Sequence, residues 1–164
     1  MIDLLTSPEG VNPVVISAVF AASPERLFDA WTRAEDLRKW FGNDPSDLTA
    51  IHLDLSVGGL WRFEMKAKNN KAEYLEGQYI NIDRPRFLCF SWVHVVVTHE
   101  DHQRQTPPSQ VSVHFEALGA ATRITLEHKE IASPSGRIGV RTGWKASFQK
   151  LAKSLALEGE RHIN

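Results

Sequence analysis

The sequence predicts an α+β fold in which an antiparallel sheet curves around one long C-terminal helix. Three observations carry that expectation. An apolar, β-rich run over Val14 to Ala21 leads into two short segments with aromatic faces. Six strand-like runs joined by turn residues follow, and the chain closes on a long amphipathic stretch interrupted by glycines.

Residues 1 to 13 contain Pro8, Gly10, Asn12 and Pro13 and read as a leader, laid over the domain or left mobile. The domain is expected over 14–158, with a short tail over 159–164. Ser23 can accept from the orphan N–H groups of a helix whose first residue is Pro24, where a missing donor costs nothing. Leu27, Phe28 and Trp31 share one face of that helix. Leu37, Trp40 and Phe41 repeat the device before Gly42 stops it.

Strands are expected over Leu48 to Leu55, Leu60 to Ala67, Glu73 to Ile82, Phe87 to Val97, Gln110 to Leu118 and Thr122 to Glu130. Short turn-rich links between them imply a meander. Alternation puts Trp61 with Phe63 on the inner face, likewise Leu88, Phe90 and Trp92, then Val111, Val113 and Phe115, then Ile124 and Leu126. A helix is expected from near Ser135 or Gly136 to about Glu158. Its apolar stripe is Val140, Trp144, Phe148, Leu151 and Leu155, which should face the sheet. Gly139, Gly143 and Ser147 form a second stripe at four-residue intervals. Each interior glycine costs about 1 kcal/mol relative to alanine, so the stripe marks either close helix–sheet approach or volume left for a guest.

A chain of 164 residues with one cysteine, Cys89, fits a single domain with no internal disulfide. That cysteine usage and the absence of a signal-like start point to the cytoplasm. Nineteen basic against twenty acidic residues, with no long basic block, exclude an electrostatic footprint for nucleic acid. No apolar run reaches the roughly 18 residues of a membrane span.

Five segments taken together resemble a known family. They are S-P-E-x-L-F-D-A-W-T (Ser23 to Thr32), L-R-K-W-F-G (Leu37 to Gly42), V-G-G-x-W-R-F-E-M (Val57 to Met65), R-P-R-F-L-C-F-S-W (Arg84 to Trp92) and G-W-x-x-x-F-x-x-L-x-x-x-L (Gly143 to Leu155). The family is that of the activator homologues of the ninety-kilodalton heat-shock chaperone ATPase, within the START-like, birch-pollen-allergen-like superfamily. The resemblance implies a helix-grip fold, a seven-stranded antiparallel sheet around a long C-terminal helix with two short helices after the first strand. It also implies a cavity between sheet and helix, since superfamily branches bind lipids, sterols, polyketides or plant hormones and a few are catalysts. No catalytic motif is shared across the family, so no catalytic residue is carried over. The family's eukaryotic founder has a separate chaperone-binding domain that this chain lacks, which leaves a chaperone partner doubtful. A homodimer is compatible with this kind of fold.

The candidate cavity-lining residues are Trp61, Phe63, Phe90, Trp92, His94, Val113, Phe115, Leu126, His128, Gly139, Gly143, Trp144 and Ser147. His94 and His128 continue the inward parity of their strands and can orient a ligand oxygen or act as acid and base. The bland reading sets them at the wet mouth of the sheet. Trp61, Trp92 and Trp144 are expected to touch the cavity and Trp31 and Trp40 to be structural. His94, His99, Glu100, Asp101 and His102 have no metal-site spacing and read as a solvated hairpin loop over Thr98 to Pro108; no metal and no cofactor is expected. No serine occupies a nucleophile elbow. The leading expectation is therefore non-catalytic binding of a small hydrophobic molecule. The alternatives are an enzyme acting on a hydrophobic carbonyl or polyketide-like substrate, and a chaperone-interacting regulatory module.

Overall fold

The structure is a computed structural model that describes residues 2–42, 44, 47–69, 71–98 and 102–163, without the side chains of 161–163. Its elements run β1 (Leu5–Thr6), β2 (Val14–Phe20), α1 (Pro24–Thr32), α2 (Ala34–Trp40), β3 (Leu48–Leu53), β4 (Leu60–Lys68) and β5 (Lys71–Asp83). They continue with β6 (Phe87–Thr98), β7 (Gln103–Gln105), β8 (Ser109–Leu118), β9 (Ala121–Lys129) and α3 (Pro134–Ile163).

All pairings between neighbouring strands are antiparallel, in the order β1-β2-β9-β8-β6-β5-β4-β3, with β7 beside the end of β6. The seven expected strands are β2 to β6, β8 and β9. β1 and β7 are additional. β1 arises because the first residues lie on the domain: Leu5 pairs with Ser17, and Arg141 of α3 donates to the Ser7 carbonyl at 2.9 Å and to Thr6 Oγ1 at 3.0 Å. β7 falls within the segment expected to be a loop and pairs Gln105 with Val95. His99, Glu100 and Asp101 lie outside the described residues.

The helix starts follow one rule twice. Ser23 Oγ accepts from Arg26 N at 3.1 Å ahead of Pro24, and Ser133 Oγ accepts from Gly136 N at 3.0 Å ahead of Pro134. The second cap starts α3 earlier than periodicity alone suggested. At the far end α3 runs past Glu158, whose carboxylate receives Arg26 Nε at 2.9 Å. The same guanidinium donates to Asp36 at 2.7 Å, so one arginine joins all three helices.

The core sits between α3, α1 and the middle of the sheet. Phe28 meets Phe115 edge-on at 5.5 Å, and Phe20 meets Phe148 at 5.8 Å. Val113, Phe115, Leu126, Phe148 and Leu151 are all buried there, which leaves the glycine-bearing first half of α3 over β4, β5 and β6.

Candidate functional site

The glycine stripe decides the geometry of the site. A Cβ placed on Gly139 or Gly143 would meet no atom within 4 Å. Of the two readings of the stripe, close helix–sheet approach is therefore not what these positions do; they border open space. That space is a cavity of about 590 Å³ between α3 and the sheet.

Its walls are Phe41, Leu48, Met65, Leu75, Trp92, Ile131, Val140 and Trp144, with Gly139, Gly143 and Ser147 of α3. Its rim carries Asp44, Asp47, Lys66, Lys68, Lys71, Glu73, His94 and Thr106. Across the rim Lys68 Nζ donates to Asp47 at 2.8 Å. Phe41 and Gly42, at the end of α2, are held against α3 because Gly42 N donates to Ser147 Oγ at 3.0 Å and Lys150 Nζ donates to the Gly42 carbonyl. Ser147 in turn donates to the Gly143 carbonyl at 2.8 Å.

Of the residues singled out from sequence, Trp92, His94, Gly139, Gly143, Trp144 and Ser147 line this cavity. Trp61, Phe63 and Phe90 stand one layer deeper, around a small void of about 20 Å³ that Phe41, Trp92 and Trp144 also border. Val113, Phe115 and Leu126 border neither space; α1 and the second half of α3 cover the strands they stand on. Trp31, read as structural, borders the small void.

The two histidines separate. His94 lies where β6 runs past its pairing with β8, and its Nε2 is 3.2 Å from Glu73 Oε2 on β5. Its backbone N–H donates to Thr106 Oγ1 at 3.0 Å. His128 lies between Val14 of β2 and Val111 of β8 under Trp144, and is 0% exposed. Both histidines lie toward the same end of the sheet, but β2 and β8 flank His128 and Trp144 covers it, so it does not stand at a wet mouth as His94 does. Burial pushes His128 down to about 3, so it is neutral and cannot serve as an acid or base near neutral pH.

Glu73 was not singled out from sequence. The signal was present: Glu73, Leu75, Gly77 and Tyr79 alternate onto the inner face of β5, and Leu75 and Tyr79 are buried. Among the described residues no group of three or more His, Cys, Asp or Glu could hold a metal ion, and no helix is long and apolar enough to cross a membrane.

The family model described as activator of Hsp90 ATPase homolog 1-like protein matches residues 21–156. A protein of this family from Silicibacter pomeroyi is similar in structure, with TM-score 0.68 and 26% identity, over 89% of this chain and 99% of its own. A Rhodobacter sphaeroides protein matches at TM-score 0.71 and 20% identity, over 94% of this chain and 99% of its own. CalU16 of Micromonospora echinospora matches at TM-score 0.64 and 20% identity, over 98% and 90%. No curated protein matches the chain.

Proposed function

The chain belongs to the activator of Hsp90 ATPase homolog 1-like family, and we propose that it binds a small hydrophobic molecule between the sheet and the first half of α3. The observation that carries this reading is the open space beside Gly139 and Gly143. Two interior glycines weaken a helix by about 1 kcal/mol each, and here no close backbone contact accounts for them. A space of this size with mainly apolar walls and a polar rim suits a ligand of modest size. A cytoplasmic location and a homodimer are part of the same proposal.

Gly143→Leu tests it, because the new side chain would occupy the cavity without disturbing the helix. Binding of the neutral probe N-phenyl-1-naphthylamine is expected to be lost while the circular-dichroism spectrum stays unchanged. Undiminished affinity sinks the reading.

One observation favours a second reading, acid–base chemistry on a carbonyl compound. His94 on the rim has a carboxylate partner in Glu73, the arrangement that leaves Nδ1 of a neutral imidazole as the base.

A further inference from the structure

Two of the serines that line the large cavity are buried, Ser109 at the start of β8 and Ser147 on α3. They place their protons differently. Ser147 Oγ donates to the Gly143 carbonyl at 2.8 Å and receives Gly42 N at 3.0 Å, so its hydroxyl is committed to holding α2 against α3. Ser109 Oγ lies 2.7 Å from His128 Nε2, and its nearest acceptor among the described residues is the Trp92 carbonyl at 3.3 Å. That is long for an O–H···O bond, which usually spans about 2.5–3.0 Å.

A serine 2.7 Å from a histidine has the spacing of a nucleophile beside its base, and the direction of the bonds excludes that role. The Trp144 indole can only donate, so His128 Nδ1 is the acceptor at 3.1 Å and Nε2 of the neutral ring carries the proton. Ser109 therefore receives. With one lone pair taken by the imidazole, its own hydrogen can turn to the distant Trp92 carbonyl or away from it, toward the space that Ser109 lines. Ser109 shares the inward parity of Val111, Val113 and Phe115, so its side chain stands on the α3 side of the sheet. His128 is 0% exposed and does not border the cavity, whereas Ser109, Trp92 and Trp144, which pack on it, all do.

We propose that Ser109 Oγ is the donor that orients a neutral carbonyl oxygen of the ligand on the inner wall of the large cavity. Binding swings the hydroxyl from the Trp92 carbonyl to the ligand, while Trp92 and Ser109 stay paired through their backbones as the end pair of the β6–β8 ladder. The line of donors from Trp144 through His128 to Ser109 then runs on into the ligand, and each bond in such a chain strengthens the next. Both hydrogen-bond partners of Ser109 are uncharged, so a carboxylate in the same place would be buried without a counter-charge. The inference rests on the large cavity being a ligand site and adds the chemical class of the ligand, a hydrophobic ketone.

Tetralin and 2-tetralone share one bicyclic outline and differ by the carbonyl oxygen, so the ratio of their dissociation constants isolates the donor. In the wild-type protein the ketone is expected to bind about tenfold tighter, in keeping with one gained hydrogen bond. Its infrared carbonyl band should fall below its position in cyclohexane. Ser109→Ala removes the hydroxyl and should abolish both effects while tetralin affinity persists. Should Ser109→Ala fail to fold, Ser109→Cys keeps a group against His128 with only a weak S–H donor, and the band should return most of the way. Equal affinities in the wild-type protein, with the band at its cyclohexane position, overturn the subsite and leave the cavity reading standing. A preference and a band shift that survive both substitutions assign the oxygen to another donor and overturn it as well. If neither compound binds where N-phenyl-1-naphthylamine does, the role of Ser109 falls alone; if none of the three binds, both readings fall.

Discussion

Trp144 and His128 fix each other's chemistry. The Trp144 indole donates to His128 Nδ1 at 3.1 Å, so the proton of the neutral imidazole sits on Nε2 and donates to Ser109 Oγ at 2.7 Å. Ser109 then passes its own proton toward the Trp92 carbonyl at 3.3 Å. The chain of donors has one direction and ends on β6, beside the cavity wall. It gives a histidine to the core, where it holds Trp144 in place, and not to the solvent-facing chemistry its position in the sequence suggested.

A pH dependence of stability follows, with a definite sign. His128 is held at about 3 in the folded protein, against about 6.5 in the unfolded chain. Between those values the unfolded state binds the extra proton, so stability is complete above the unfolded value and declines as pH falls, by roughly 1.4 kcal/mol per unit. No charged side chain takes part in its hydrogen bonds to Trp144 and Ser109. Urea unfolding of wild type and His128→Gln between pH 4 and 7 should therefore show a shallower slope in the variant, lower by about one proton. Parallel slopes would refute the assignment.

Two glycines should respond to alanine in opposite directions. At Gly143 the added methyl meets open space inside a helix, so Gly143→Ala should raise stability by roughly 0.5–1 kcal/mol. At Gly77 the methyl would fall on the Ser91 carbonyl oxygen and lie 2.7 Å from Trp61 Nε1, at the point where that indole donates to Ser91. Gly77→Ala should destabilise by about 2 kcal/mol or more. Thermal unfolding of the two variants side by side measures both signs, and a stable Gly77→Ala would contradict the close approach of β5 and β6.

These contrasts mark what was legible in the chain. Local chemistry was: Ser23 with Pro24 announces α1, and the inward alternation of Trp61, Phe63, Phe90 and Trp92 matches their positions in the sheet. The Ser133-Pro134 pair carries the same signal as Ser23-Pro24, and periodicity drew attention away from it. What depends on distant strands was not legible. Val14 pairs with His128 across most of the chain, and that closure buries a histidine whose parity alone placed it at a rim. Whether a glycine stripe meets backbone or empty space depends on what lies across from it, and Gly77 and Gly143 show both outcomes in one molecule. The register shifts between Met65 and Lys68 and between Tyr79 and Asn81 leave no periodic trace. Trp31 read as core because its face is apolar; only the absence of an acceptor near its nitrogen separates it from Trp40.

The rim pair His94 and Glu73 makes a prediction that separates chemistry from binding. If Nε2–H donates to Glu73 at 3.2 Å, Nδ1 has a lone pair able to take a proton from carbon next to a ketone, leaving an enolate. The imidazolium trades that proton for a solvent deuteron and delivers the deuteron to the carbon, so solvent is the one other reagent the cycle needs. In deuterium oxide, the α-hydrogens of 2-tetralone should then exchange faster with the protein than in buffer, by about 10²-fold or more for a positioned base. His94→Gln should remove the acceleration, and Glu73→Gln should lower it while leaving the binding of N-phenyl-1-naphthylamine intact. Exchange at the buffer rate, with 2-tetralone bound, would leave the protein a binder and the pair a contact between two strands.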